Sequence, residues 1–220
     1  MYDEEYGFIS PDIFIKAAEK SGAIHRLGDF VLKEVFEFIG TEEFEKSGLD
    51  YIEINLSVQQ CLQANLADNI IDLMDCYKIS PDKVNLEITE SVAGFSQSVV
   101  TNNLLKLNKT GIRFSLDDYG TGYSNIRRLG ILPISIVKLD KLFVDEYHNE
   151  AIKIIIKHSV NMFKELDLKI LVEGVETKEQ LDEFIEVGCD YIQGFYYSMP
   201  LVAKDLIEFL DSYKEKINEI

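Results

Sequence analysis

With 220 residues, 46% of them apolar and 28% charged, the chain has the make-up of an ordinary globular protein large enough to bury one core. A formal net charge of −17 leaves no basic stripe to displace phosphate counterions. That excludes an electrostatic DNA binder, but not a small anionic ligand, because bound cations reverse a local field.

Met1 to Gly7 is polar and acidic. Ser10-Pro11-Asp12 then reads as a cap with proline at the first helical position, and Phe14, Ala17 and Ala18 give that helix an apolar face ended by Gly22. His25 to Ile39 repeats at helical spacing through Leu27, Phe30, Val31, Val35 and Phe38, with His25 a surface or cap residue. Residues 51–57 alternate and end in polar groups, which predicts a strand delivering Asn55 to its tip. Helical patterns follow over Val58 to Leu62 and Ala67 to Tyr77. The strand Val84 to Glu90 places Val84, Leu86 and Ile88 on one face, with Glu87 and Thr89 on the other. A glutamate within so short a strand requires either exposure to water or, if buried, a metal or a cation.

A helix from Ser96 to Asn108 leads to Gly111 and the stretch Ile112 to Ser124. Its apolar alternation stops at two adjacent acids, Asp117 and Asp118, which run into a loop punctuated by Gly120 and Gly122. Such a pair serves either as a turn and helix N-cap or as hard oxygen ligands for divalent cations, one acid bridging two ions. Polar strand ends elsewhere in the chain favour the ligand reading. A short helix from Ser124 to Leu129 precedes the strand Ile134 to Asp140, where Lys138 is either a snorkelling side chain or part of a site.

Ala151 to Leu166 is an amphipathic helix striped by Ile152, Ile155, Ile156, Val160 and Phe163, with His158 off the stripe. The strand Lys169 to Glu173 follows, then a helix from Thr177 to Glu186 opened by a Thr177–Gln180 capping box. Cys189 to Gly194 forms the last strand, ending in Gln193, and Val202 to Ile217 the last helix. Cys61, Cys76 and Cys189 are scattered and odd in number, as expected of buried thiols in a reducing compartment. No apolar run reaches bilayer length and the start is not signal-like, so the expected setting is cytoplasmic, without membrane insertion by this segment.

No linker or repeat divides residues 1–220, which argues for a single domain. Strands alternating with helices predict a parallel sheet with crossover helices. Polar groups at every consecutive strand tip fit a closed ring better than an open sheet, in which only tips near a switch point would meet.

The runs Ile54 to Ser57, Leu86 to Glu90, Leu116 to Ser124, Ile136 to Asp140, Val172 to Thr177 and Gln193 to Phe195 together resemble the signature of the EAL-domain family. Gly7 to Pro11 and the helix through Phe14 fit the same pattern, so the resemblance covers essentially the whole chain. It implies a TIM-like (β/α) barrel that hydrolyses cyclic di-GMP to linear pGpG with two Mg²⁺ or Mn²⁺ ions. Carried over, Asn55, Glu87 and Asp117 would ligate one ion. Asp117 would bridge to a second ion, also served by Asp118. Lys138 would hold the attacking water and Glu173 would act as general base. Gln193 would line the cluster, Glu90 would brace the loop from Asp118 to Ser124, and Glu176 would act in support.

The chain departs from the family in one respect. The Glu-x-Leu strand, whose glutamate ligates metal and which precedes a substrate-binding arginine, would lie before Met1. About six of the eight barrel strands are then expected, with exposed sheet edges. That departure motivates a second expectation, a non-catalytic cyclic di-GMP receptor or interaction module. Family barrels also pair, so a homodimer is expected.

Overall fold

The computed structural model describes residues 2–94, 98–121 and 126–218. At its start, strands β1 (Tyr2–Asp3) and β2 (Gly7–Phe8) form a small antiparallel hairpin. The Asp3 carboxylate makes that turn by accepting from the backbone N–H groups of Glu5 and Tyr6. Without aliphatic alternation, this stretch reads from sequence as merely polar.

The alternating aliphatic runs pair as one parallel sheet whose spatial order is its sequence order. Its strands are β3 (Ile52–Leu56), β4 (Val84–Thr89), β5 (Arg113–Tyr119), β6 (Ile134–Leu139), β7 (Lys169–Val172) and β8 (Tyr191–Ile192). These are the six expected strands of the TIM-like arrangement, with β3 and β8 at the two ends of the sheet. Helices Leu66–Tyr77, Ser98–Asn108, Glu150–Glu165 and Lys178–Val187 form crossovers between successive strands. Ile70, Leu104, Leu107, Ile156, Phe163 and Phe184 are fully enclosed in the core, along with Leu86, Ile88, Phe114 and Ile170 of the sheet. Each such side chain contributes about 1.5–3 kcal/mol by leaving water.

The helix Ile24–Ile39 buries Ile24, Leu32, Phe36 and Ile39. Phe30 is 58% exposed and Val31 also faces outward, a correction to the expected stripe. This helix is apolar on more than one side, so periodicity alone does not select the buried one. Ile155 is likewise exposed, whereas Ile156, Val160 and Phe163 are buried as expected. Of the thiols only Cys61 is buried. Cys76 is exposed and Cys189 half-buried, a second correction. Ser10 occupies the first helix's N-cap position but makes no side-chain capping bond. Thr177 and Gln180 form both bonds of their capping box.

Three short helices among the described residues escaped the sequence reading: Glu42–Ser47, capped by Thr41, Glu90–Gly94, whose first residue was expected to end a strand, and Lys141–Asp145, capped by Asp140. The expected helix from Ser124 is represented by a 3₁₀ turn over Ile126–Arg128. Its first residues, the loop residues Gly122 to Ser124, and the start of the helix expected from Ser96 lie outside the described residues.

Candidate active site

Register and pleat bring the polar groups together. Asn55 pairs with Glu87, Glu87 with Ser115, and Thr89 with Asp117 across β3, β4 and β5. Alternation then puts Glu53 and Asn55, Asn85 and Glu87, and Ser115 and Asp117 on one face. β4 is buried from Val84 to Ile88, so Glu87 is 5% exposed and needs a cation rather than water. Lys138 of β6 supplies it. The lysine is 3% exposed, which rules out a snorkelling role. Its ammonium donates a short hydrogen bond to Glu87 and lies 2.7 Å from Glu173 Oε1, 3.4 Å from Asp117 Oδ1 and 4.0 Å from Glu53 Oε2.

Beneath this cluster two neutral side chains hold the Glu53 carboxylate. Asn85 Nδ2 donates to Glu53 Oε1 at 2.8 Å and to Ser115 Oγ at 2.7 Å, and Ser115 Oγ donates to Glu53 Oε1 at 2.9 Å. Glu53, Asn85 and Ser115 were not singled out in the sequence. Yet Glu53 stands two places before Asn55 in an alternating strand, which is enough to put both on one face.

Burial opposes the charge on Lys138, but Glu87, Asp117 and Glu173 more than offset it, and the ammonium is held above the usual lysine range. Burial pushes the Glu87 carboxyl up to about 8, with Lys138 opposing and Glu53 adding to the rise. Glu173 is raised by burial against the pull of Lys138, with Asp117 and Asp118 contributing. Asp118 is raised by burial and by the charges of Asp117 and Asp140. Its backbone is left-handed, with φ 57°. Asp117 Oδ1 is buried without a hydrogen bond, since its contact with Lys138 is an ion pair only.

The structure thus gathers Glu87, Asp117, Lys138 and Glu173, with Asp118 alongside. Asn55 and Gln193 reach the strand ends but are exposed, and no hydrogen bond or ion pair joins their side chains to the cluster among the described residues. Glu90 opens the helix Glu90–Gly94 and its charge bears on Asp118. Glu176 is exposed and bonded to Lys141 at 2.6 Å. Among the described residues no three His, Cys, Asp or Glu side chains make a ready metal cage. The Lys138 ammonium takes the middle position among the carboxylates.

Behind the acids the loops share one support. The Tyr119 ring packs on Phe163 at 4.9 Å and on Phe143 at 6.5 Å. Gly120, with φ +103°, lies so close to the Phe143 ring that an added Cβ would fall 2.3 Å from it. Asp140 follows Leu139 of β6 and accepts from Leu142 N at 2.8 Å, starting the helix that carries Phe143.

A pH dependence follows. Because the Glu87 carboxyl is raised in the fold from 4.5 to about 8, its contribution to stability is complete below the unfolded value and is lost as pH rises through the folded one. Glu173 and Asp118 act in the same direction. Thermal unfolding of the metal-free chain should therefore show a lower midpoint at pH 9 than at pH 6, and Glu87→Gln should reduce the difference. An undiminished difference in that variant would assign the effect to other groups.

The EAL domain family model matches residues 1–200. The chain is 30% identical over 212 residues to the oxygen sensor protein DosP of Escherichia coli, covering 96% of this chain and 26% of that protein. It is 34% identical over 205 residues to the bifunctional diguanylate cyclase/cyclic di-GMP phosphodiesterase MucR of Pseudomonas aeruginosa, covering 92% and 30% respectively. The chain therefore spans under a third of the length of these curated relatives. Among solved structures, "PaMucR Phosphodiesterase, c-di-GMP complex" superposes with a TM-score of 0.86 at 33% identity, covering 93% of this chain and 83% of that one.

Proposed function

Because the chain belongs to the EAL domain family, we propose that it hydrolyses cyclic di-GMP to linear pGpG with two Mg²⁺ or Mn²⁺ ions. The observation that carries this reading is the buried Lys138 ringed by Glu87, Asp117 and Glu173, all toward the C-terminal ends of strands in one parallel sheet. The relatives support it: MucR and NbdA of Pseudomonas aeruginosa and PdeA of Escherichia coli bear phosphodiesterase names.

The donor set fits a hard divalent cation. Asp117 Oδ1 is a buried acceptor lacking a hydrogen bond, as a metal-directed oxygen would be before loading. Asn55, Glu87 and Asp117 would hold one ion, and Asp117 with Asp118 the other. Such ions neutralise a phosphodiester and acidify water. Glu173 accepts the proton of the attacking water at its carboxylate, and its raised affinity for protons suits a general base. Lys138 draws the developing hydroxide by Coulomb attraction. Gln193 lines the site with a neutral group, Glu90 braces the loop after Asp118, and Glu176 supports from beside Lys141. A cytoplasmic setting and pairing of two copies belong to the same reading. No helix among the described residues is long and apolar enough to cross a membrane.

One observation favours the alternative of a non-catalytic cyclic di-GMP receptor: Lys138 already satisfies Glu87 and Glu173 without an added cation. Mn²⁺ titration decides between the two. The wild-type chain should bind Mn²⁺, and Asp117→Asn should bind it roughly tenfold more weakly, because a charged ligand becomes neutral. Equal affinities would remove Asp117 from the ligand set. Retained cyclic di-GMP binding without Mn²⁺ uptake or hydrolysis would favour the receptor.

A further inference from the structure

Glu53 is the one carboxylate near Lys138 to which the proposed reaction gives no task. It lies a layer below the tip, on the same face of β3 as Asn55. Its Oε1 accepts from two fully buried neutral groups, Asn85 and Ser115, on the next two strands. Its Oε2 lies 4.0 Å from the Lys138 ammonium. A neutral amide carbonyl could accept the same two hydrogen bonds. What it would lack is the negative charge directed at Lys138.

The need for that charge appears on loading. In the structure Lys138 is shared among Glu87, Glu173, Asp117 and Glu53. On the reading proposed above, cations would claim Glu87 and Asp117, and Glu173 would take up a proton during reaction. Glu53 alone among the four is given neither a metal ion nor a proton by that reaction, and it is pinned from below. We infer that Glu53 is a positioning residue: it holds the Lys138 ammonium in place when Glu87 and Asp117 turn to the cations. This inference rests on the metal-dependent reading.

The test follows the Lys138 ammonium itself by ¹H–¹⁵N spectroscopy of the lysine side chains, with Mg²⁺ added to saturation. In the wild-type protein its protons should stay protected from solvent exchange with Mg²⁺ bound. Glu53→Gln keeps an oxygen for Asn85 and Ser115 but removes the charge. In that variant exchange should quicken roughly tenfold on Mg²⁺ addition, as expected for loss of a contact to a charged group. Ser115→Ala leaves the charge and loosens its anchor, and should quicken exchange in the same loaded state. Protection that persists in both loaded variants overturns the inference, as does protection lost in the loaded wild-type protein. Mn²⁺ electron paramagnetic resonance on the same samples separates the two readings. If the wild-type chain takes up no Mn²⁺, the metal-dependent reading falls and the inference with it. If Mn²⁺ binds and the variants stay protected, only the role of Glu53 falls.

Discussion

Glu173→Gln should lower the turnover of cyclic di-GMP by roughly a hundredfold or more while leaving its binding nearly unchanged, with Ca²⁺ replacing the catalytic ion in the binding assay. The residue is well held for this purpose. Its backbone N–H donates to Leu139 O at 3.0 Å, tying the end of β7 to β6, and its carboxylate meets Lys138 at 2.7 Å. Glutamine keeps the shape and can still accept a hydrogen bond from the ammonium, but it takes no proton. The loss should therefore appear in the transition state rather than in ligand capture. If the variant instead fails to bind and its residual bound fraction reacts at the normal rate, Glu173 holds ligand. The proton would then have to go elsewhere, with Glu176 the first candidate although Lys141 now engages it.

Lys138→Met should be the most damaging change to the fold itself. The lysine is the cation common to Glu87, Glu173, Asp117 and Glu53. Removing it leaves buried carboxylates without compensation, a situation that costs about 3–5 kcal/mol. Denaturant unfolding of the metal-free variant should register that loss, and Mn²⁺ should restore part of it by supplying positive charge to the same acids. A loss below about 1 kcal/mol would mean that water screens the cluster as it does a surface pair.

The strands were legible because each carries an aliphatic alternation that only a sheet satisfies, and their polar tips were legible for the same reason. Glu87 also announced its need for a partner, since a charge inside a short strand demands one. The partner could not be read, because Lys138 lies far along the chain and only the register of β4, β5 and β6 brings the two together. Glu53 was overlooked although the period-two rule puts it beside Asn55. Phe30 and Val31 show the opposite limit: their helix offers more than one apolar side, and tertiary contacts chose among them. Asn55 and Gln193 reach the expected strand ends, but their exposure depends on what stands above the sheet, which local patterning does not encode.

The support behind the acids gives the site a mechanical unity. Tyr119 ends β5 just past the acid pair, and Asp140 follows the end of β6 just past the lysine. The two segments meet at the ring of Phe143 and through Asp140 N and Tyr119 O, 3.5 Å apart. Gly120 has no side chain to keep that ring away. The strand end bearing the carboxylates and the one bearing their counter-charge are thus anchored to one short helix, and should loosen or tighten as one cooperative unit. Phe143, an apolar residue with no chemistry of its own, becomes the hinge pin on which the spacing between opposite charges depends.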